Sequence, residues 1–298
     1  MQETLPEKPD WLKVRLMSSE KFNMVKETVK EYRLNTVCTS AKCPNMFECW
    51  DSGNLTFMIL GSVCTRFCRF CSVRHGKYGE LIDNDEIGRI TEASKKLGLS
   101  YVSITSVDRD DLEDFGAGHF ANTIRALKSS IPGVRVEAVV PDLDGRADLL
   151  LKVIDARPDV LTHNIETVER LTPLIRDKRA GYYRSLDVLK NVKRFEPGIA
   201  TKSSIMLGLG EDIEDVKGSI KHLHESRVDI VIIGQYLRPD EKCVPVHEYI
   251  QPEQFSALKD YAESLGFNYV ASAPFVRSSY RSAHYYFENV LKKGIRRI

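Results

Sequence analysis

Six short apolar runs recur along the chain, with stretches of helical periodicity between them, and this alternation limits the fold more than any other feature. The runs cover residues 55–60, 101–105, 134–140, 160–164, 201–207 and 228–234. The stretches between them cover 85–97, 119–130, 146–156, 184–195 and 213–225. In the last of these, Ile213, Val216, Ile220 and Leu223 recur at helical spacing, while Glu214, Asp215 and Lys217 face away. Short continuous apolar runs read as strands buried on both faces, and their alternation with helices implies parallel βαβ units. A doubly wound sheet and a full or partial barrel both satisfy the pattern. A charged helix over 19–32 precedes it, and a helix over 253–265 with a strand over 268–272 follows it.

The chain has 298 residues, 42% of them hydrophobic, which supports a sizeable core without covalent staples and excludes disorder. Forty-three Lys and Arg against 42 Asp and Glu give a net charge of +1. That balance argues against nucleic-acid binding as the main activity. The basic end, with Lys292, Lys293, Arg296 and Arg297, reads as a solvated tail. No apolar run approaches the roughly 18 residues of a membrane span. The amino terminus lacks the apolar core of a secretory signal and carries early acidic residues. A cytoplasmic protein without membrane attachment is therefore expected.

In that compartment thiols stay reduced, so a dense group of cysteines points to metal or redox chemistry. Six of the seven cysteines lie between Cys38 and Cys71. Cys64-Thr-Arg-Phe-Cys68-Arg-Phe-Cys71 follows the first strand directly. Three thiolates from one loop can hold three irons of a [4Fe–4S] cube and leave the fourth open to a small molecule. Zinc, with His75 as fourth ligand, is the competing reading. The position at the top of a βα series, where barrel enzymes build their sites, favours the open cluster. A second triad, Cys38, Cys43 and Cys49, sits in a loop-like region and also lacks a local fourth ligand. Zinc or an iron–sulfur centre completed by a distant residue would both suit it. Cys243 stands apart and reads as a buried small hydrophobe.

The first spacing, with Phe70 before the third cysteine, resembles the signature of radical S-adenosylmethionine (SAM) enzymes. Both triads in this order, followed by Thr105-Ser-Val-Asp-Arg-Asp-Asp111, resemble the lipoyl synthase family. Further matching stretches are Val136-Glu-Ala-Val-Val-Pro-Asp142, His163-Asn-Ile-Glu-Thr167, Thr201-Lys-Ser-Ser-Ile-Met206, Gly208-Leu-Gly-Glu211, Gly234-Gln-Tyr-Leu-Arg-Pro239 and Arg277-Ser-Ser-Tyr280. The opening Lys8-Pro-Asp-Trp-Leu12 is similar as well, and the likeness runs over roughly residues 9 to 283. Ser204 and Ser282 depart from the family's usual residues, away from every expected ligand. Neighbouring sulfur-inserting families fit less well. A biotin synthase lacks the early triad, and a methylthiotransferase carries a trailing RNA-binding module for which no room remains. The rival of a different class is a non-catalytic zinc protein, separated by metal analysis.

The resemblance implies an α/β fold, a partial (β/α)6 barrel of the radical SAM type over 55–249. An amino-terminal extension over 1–54 would carry the early cysteines, and a carboxy-terminal extension over 250–298 would carry the RSSY motif. It implies two [4Fe–4S] clusters. One is on Cys64, Cys68 and Cys71 and binds SAM; an auxiliary one is on Cys38, Cys43 and Cys49, completed by Ser279 with Ser278 as the nearby competitor. A serine oxygen is a harder ligand than a thiolate, which suits a cluster that is taken apart. Contacts to SAM are expected from Thr105, Ser106, Asn164, Glu166, Lys202 and Arg238. His163 alone reads as a satisfied core histidine. The implied reaction inserts sulfur at C6 and C8 of an octanoyl group on a carrier lysine, two unactivated carbons that need radical chemistry. The auxiliary cluster is the implied sulfur source. Implied partners are an octanoylated lipoyl carrier domain or H protein, a ferredoxin or flavodoxin as electron donor, and iron–sulfur assembly proteins.

Overall fold

The computed structural model describes residues 7–13 and 19–280; Ser282 and the basic end lie outside the described residues. Among the described residues seven strands form one parallel sheet in chain order: β1 (Thr56–Ile59), β2 (Tyr101–Ser106), β3 (Arg135–Val139), β4 (Val160–Thr162), β5 (Ala200–Leu207), β6 (Ile230–Gln235) and β7 (Tyr269–Ser272). Sequential order with every pair parallel is the connectivity of a partial barrel, in which each strand returns through a helix on the outside. The sheet takes one strand more than the six expected of the barrel proper. The segment after α10 pairs with β6 in register, Ile230 with Tyr269 through Ile233 with Ser272.

Among the described residues ten α-helices accompany the strands: α1 (Glu20–Glu31), α2 (Val37–Ser40), α3 (Met46–Asp51), α4 (Glu86–Lys96), α5 (Ala117–Ser130), α6 (Ala147–Ile154), α7 (Thr172–Ile175), α8 (Tyr182–Phe195), α9 (Ile213–Glu225) and α10 (Pro252–Leu265). Local chemistry sets several of their ends. Asp212 and Asp215 form a reciprocal capping box at the start of α9. Pro252 opens α10, and Gly266, in the left-handed region, closes it. Two of the three early cysteines, all expected in a loop, ride on short helices, and Cys43 lies between them. Thr36 caps α2 by accepting the Thr39 N–H, so Cys38 becomes helical, and Cys49 lies in α3.

Side chains alternate across the sheet. One face packs against the helices in two large apolar clusters, with Phe57, Ile104 and Val136 in one and Ile205, Val231 and Ile233 in the other. The inner face holds a smaller apolar floor, with Val160, Ala200, Ile230 and Ile232. A buried ion pair, Glu137 with Lys202, adjoins that floor. The inner positions are thus partly polar, and the strand ends open onto the site.

Candidate active site

The loop after β1 starts under strain. Leu60 is buried at φ 69°, a conformation L residues rarely adopt. Both its peptide groups are held: Glu86 accepts its N–H at 2.9 Å, and Arg109 donates to its carbonyl at 3.2 Å. Gly116 lets α5 approach this turn, because a Cβ there would lie 2.2 Å from Leu60 Cδ1. The loop then folds back on itself, with Cys64 N–H bonded to Arg74 O and Gly76 N–H to Cys64 O.

Arg66, between the first two cysteines, locks the loop to its neighbours. It is buried, and its guanidinium meets Asp110 at 2.9 Å and Asp142 at 2.7 Å, with Asp108 at 3.4 Å. Thr65 adds hydrogen bonds to Asp108 O and Asp110 Oδ2. The ends of β2 and β3 and the cysteine loop are therefore one electrostatic unit. Sequence reasoning missed it. The only signal was an arginine inside the cysteine motif and a run of aspartates after β2.

Cys64, Cys68 and Cys71 line one cavity of about 280 Å³, together with Thr105, Ser106, Asn164 and Glu166. Backbone N–H groups of Arg66 and Asp108 donate to Cys64 Sγ, and that of Asp177 donates to Cys68 Sγ. The sulfurs open on the cavity but sit deep in the protein. Desolvation raises all three thiols, Cys68 to about 11 and Cys71 to about 12. Such thiols are poor free nucleophiles; a metal in place of the proton makes them ligands, and amide donors aimed at sulfur suit the thiolate form. His75 also lines the cavity, but its ring packs edge-on against Phe67 at 3.8 Å.

The far wall carries polar atoms awaiting a partner. Ser106 Oγ and Asn164 Oδ1 are buried without a hydrogen-bond partner among the described residues. Buried polar groups are normally satisfied, so these two match a bound polar molecule. Asn164 Nδ2 donates to Glu166 Oε1 at 3.1 Å and to Ser278 Oγ at 3.4 Å. Glu166 is itself held at φ 66° by hydrogen bonds to β5 on both sides, its N–H to Ser204 O and its carbonyl from Met206 N–H. Burial raises its carboxyl above the ordinary range.

Two expected contacts lie elsewhere. Lys202 is buried against Glu137 and does not line this cavity. Arg238 donates to the carbonyls of Glu241 and Cys243, tying up its own turn. Besides Arg66, the cavity wall carries Arg176, which the sequence reading did not single out. It donates to Ile165 O and Ser185 Oγ, and its Nε has no partner among the described residues. His163 is satisfied, as expected. Its Nδ1–H donates to Val140 O at 2.8 Å, and its Nε2 accepts from the Ser185 hydroxyl at 2.9 Å. Cys243 is buried outside both triads.

Cys38, Cys43 and Cys49 line a second, largely apolar cavity of about 220 Å³, walled by Leu55, Met206, Tyr236 and Leu237. Burial raises the Cys38 thiol to about 11 and also raises Cys43, where the nearby Arg277 charge works the other way. The RSSY segment reaches this triad across more than 200 residues of sequence. Asn45 Nδ2 donates to Phe275 O at 2.5 Å, and Tyr280 OH donates to Glu48 Oε1 at 2.7 Å. Gly234 permits the approach, since a Cβ there would stand 2.1 Å from Val276 O. Ser278 and Ser279 end up lining both cavities, as do Phe70 and Cys71. Ser279 Oγ lies 3.5 Å from Ser103 Oγ. None of the seven cysteines is in a disulfide, and no described helix is long and apolar enough to cross a membrane.

Residues 58–223 match the Radical SAM superfamily. The chain is 61% identical over 279 residues to a lipoyl synthase of Methanocella arvoryzae, covering 94% of each chain. It is 47% identical over 290 residues to a mitochondrial lipoyl synthase of Schizosaccharomyces pombe, covering 96% of this chain and 78% of that one. The crystal structure of methylornithine synthase is similar with a TM-score of 0.55 over 94% of this chain and 88% of that one. At 15% identity this is a likeness of fold.

Proposed function

This chain belongs to the lipoyl synthase family of the radical SAM superfamily, and from that premise we propose how its residues divide the work. A lipoyl synthase inserts sulfur at C6 and C8 of an octanoyl group attached to a lysine of a lipoyl carrier protein. The observation that carries the assignment of roles is the pair of adjoining cavities. Each is lined by one cysteine triad, and they meet at Phe70, Cys71, Ser278 and Ser279.

Cys64, Cys68 and Cys71 hold the SAM-binding [4Fe–4S] cluster, which supplies the electron and open coordination site that SAM cleavage needs. Thr105, Ser106, Asn164 and Glu166 orient SAM, and the unpartnered Ser106 Oγ and Asn164 Oδ1 support this. An uncharged amide and a carboxylate suit ribose hydroxyls, and Arg176 is placed for the methionine carboxylate. Cys38, Cys43, Cys49 and Ser279 hold the auxiliary [4Fe–4S] cluster, the sulfur source. The apolar walls around that triad suit an eight-carbon chain and exclude water from the reacting carbons. The protein substrate is an octanoylated carrier domain or H protein, and assembly proteins rebuild the spent cluster. Seven cysteines outside any disulfide suit the reducing cytoplasm.

The test is anaerobic turnover of reconstituted enzyme with SAM, dithionite and an octanoyl-lysine peptide. Mass spectrometry should find a monothiolated and then a dithiolated peptide, with 5′-deoxyadenosine. Unchanged peptide from enzyme carrying about eight irons per chain would refute the substrate; stoichiometric zinc without iron would refute the whole reading.

A further inference from the structure

The SAM-binding cluster needs an electron from outside, and the loop that carries its cysteines also reaches the surface. Phe67, in the middle of that loop, is 58% exposed. Its N–H is anchored on Asp177 at 2.7 Å and its ring on His75. Beside it, Arg69 donates to Ile175 O and Leu174 O, which brings the 55% exposed Leu174 of α7 against the loop. Large exposed apolar side chains gathered at one spot mark interaction sites more often than they occur by chance.

The unpaired charges on this loop and on the segment after α7 have one sign. Arg69, Lys77 and Lys178 are exposed and have no carboxylate within ion-pair distance among the described residues. Of the carboxylates on the loop and the segment after α7, Asp177 is engaged by Arg179 and Glu80 by Arg74. In a chain with a net charge of only +1, this is a local positive excess directly over the cluster loop.

We propose that the surface formed by Phe67, Leu174, Arg69, Lys77 and Lys178 is the docking site for an acidic one-electron carrier protein that reduces the cluster on Cys64, Cys68 and Cys71. The proposal rests on the cluster assignment above. Electron transfer falls steeply with distance, and Phe67 adjoins Cys68 in the chain, so a carrier seated here has a short path to the irons. Redox encounter complexes are small, and their apolar centre with a charged rim matches what this surface offers. In the step itself one electron leaves the carrier and one enters the oxidised cluster; no bond forms or breaks.

The test uses the reconstituted holoenzyme and a Lys77→Glu/Lys178→Glu variant, with iron content matched first. Deoxyadenosine formation is measured with dithionite and with a reduced flavodoxin, at low and high salt. With dithionite the variant should match wild type. With flavodoxin, kcat/KM for the carrier should fall about tenfold at low salt, and the salt dependence of wild type should flatten. Leu174→Ser, which leaves charge unchanged, should raise KM for flavodoxin at both salt concentrations. Flavodoxin kinetics unchanged in both variants would overturn the proposal. A loss confined to thiolation of an octanoylated carrier protein, with flavodoxin-driven SAM cleavage intact, would overturn it in favour of substrate docking. Failure of wild type with dithionite would instead count against the cluster assignment.

Discussion

Lys202 separates two readings of the same lysine. As a strand residue near the site it was expected to hold SAM; the structure instead seats it against Glu137 on the inner face. The Lys202 side chain is 4% exposed and that of Glu137 is fully buried. The carboxylate also accepts from Thr162 Oγ1 at 2.7 Å and Tyr101 OH at 3.1 Å. Burial lowers the Lys202 pKa, and the Glu137 charge works against that shift. Lys202→Met keeps the stem and removes the charge, leaving a buried carboxylate with two neutral donors. Breaking a buried pair in this way costs about 3–5 kcal/mol, and the two hydroxyls place this case near about 3. With an unfolding entropy of about 2.1 cal/mol/K per residue, that lowers Tm by about 5 °C. Adding Glu137→Gln, which removes the stranded charge and keeps both hydroxyl partners, should recover most of the loss. Thermal melts followed by circular dichroism, with SAM KM measured on each variant, provide the check. SAM KM should stay within about twofold of wild type. A single variant that melts with wild type but binds SAM tenfold more weakly would refute the floor role and restore the SAM contact.

Gly234→Ala should push the Val276 carbonyl away and carry Ser278 and Ser279 with it, because the clash is with backbone. Iron should drop from about eight to about four per chain, with SAM cleavage retained and sulfur insertion lost. Burial lowers His163 to about 4, so the fold favours its neutral form. The stability this gives is complete above about pH 6.5 and is lost as pH falls toward about 4, roughly 3 kcal/mol across the window. Urea midpoints from pH 7.5 to 4.5 should show that extra fall in wild type and not in His163→Gln. Cys38→Ala should still release deoxyadenosine from SAM while forming no thiolated product, whereas Cys68→Ala should do neither; sulfur insertion by the first variant would remove the sacrificial role of its cluster.

The strands and helices were legible because their cause is local. Ile213–Glu225 shows its helical period in the sequence and forms over that span. The expected strand at 268–272 was visible as an apolar run, but its pairing with β6 was not, since strand order depends on a partner outside the segment. Cys38 and Cys49 read as loop residues because helices of four and six residues are too short to show a period. Arg66 was unreadable for a related reason. A lone arginine has no pattern, and its three carboxylates come from 42 to 76 residues away.

What the sequence determined by itself was the chemistry: two three-thiol sets, each one ligand short, on a βα chain whose strand ends build sites. Spacing within a loop is local, so it is written in consecutive residues. The tertiary structure decided which groups stand near each set. It brought Ser278 and Ser279 to line both cavities, put Arg176 on the wall of the cavity that holds Cys64, Cys68 and Cys71, and placed Lys202 and Arg238 elsewhere. Those outcomes depend on burial and on pairing across the fold, where a charge goes to the nearest partner that offsets its loss of water.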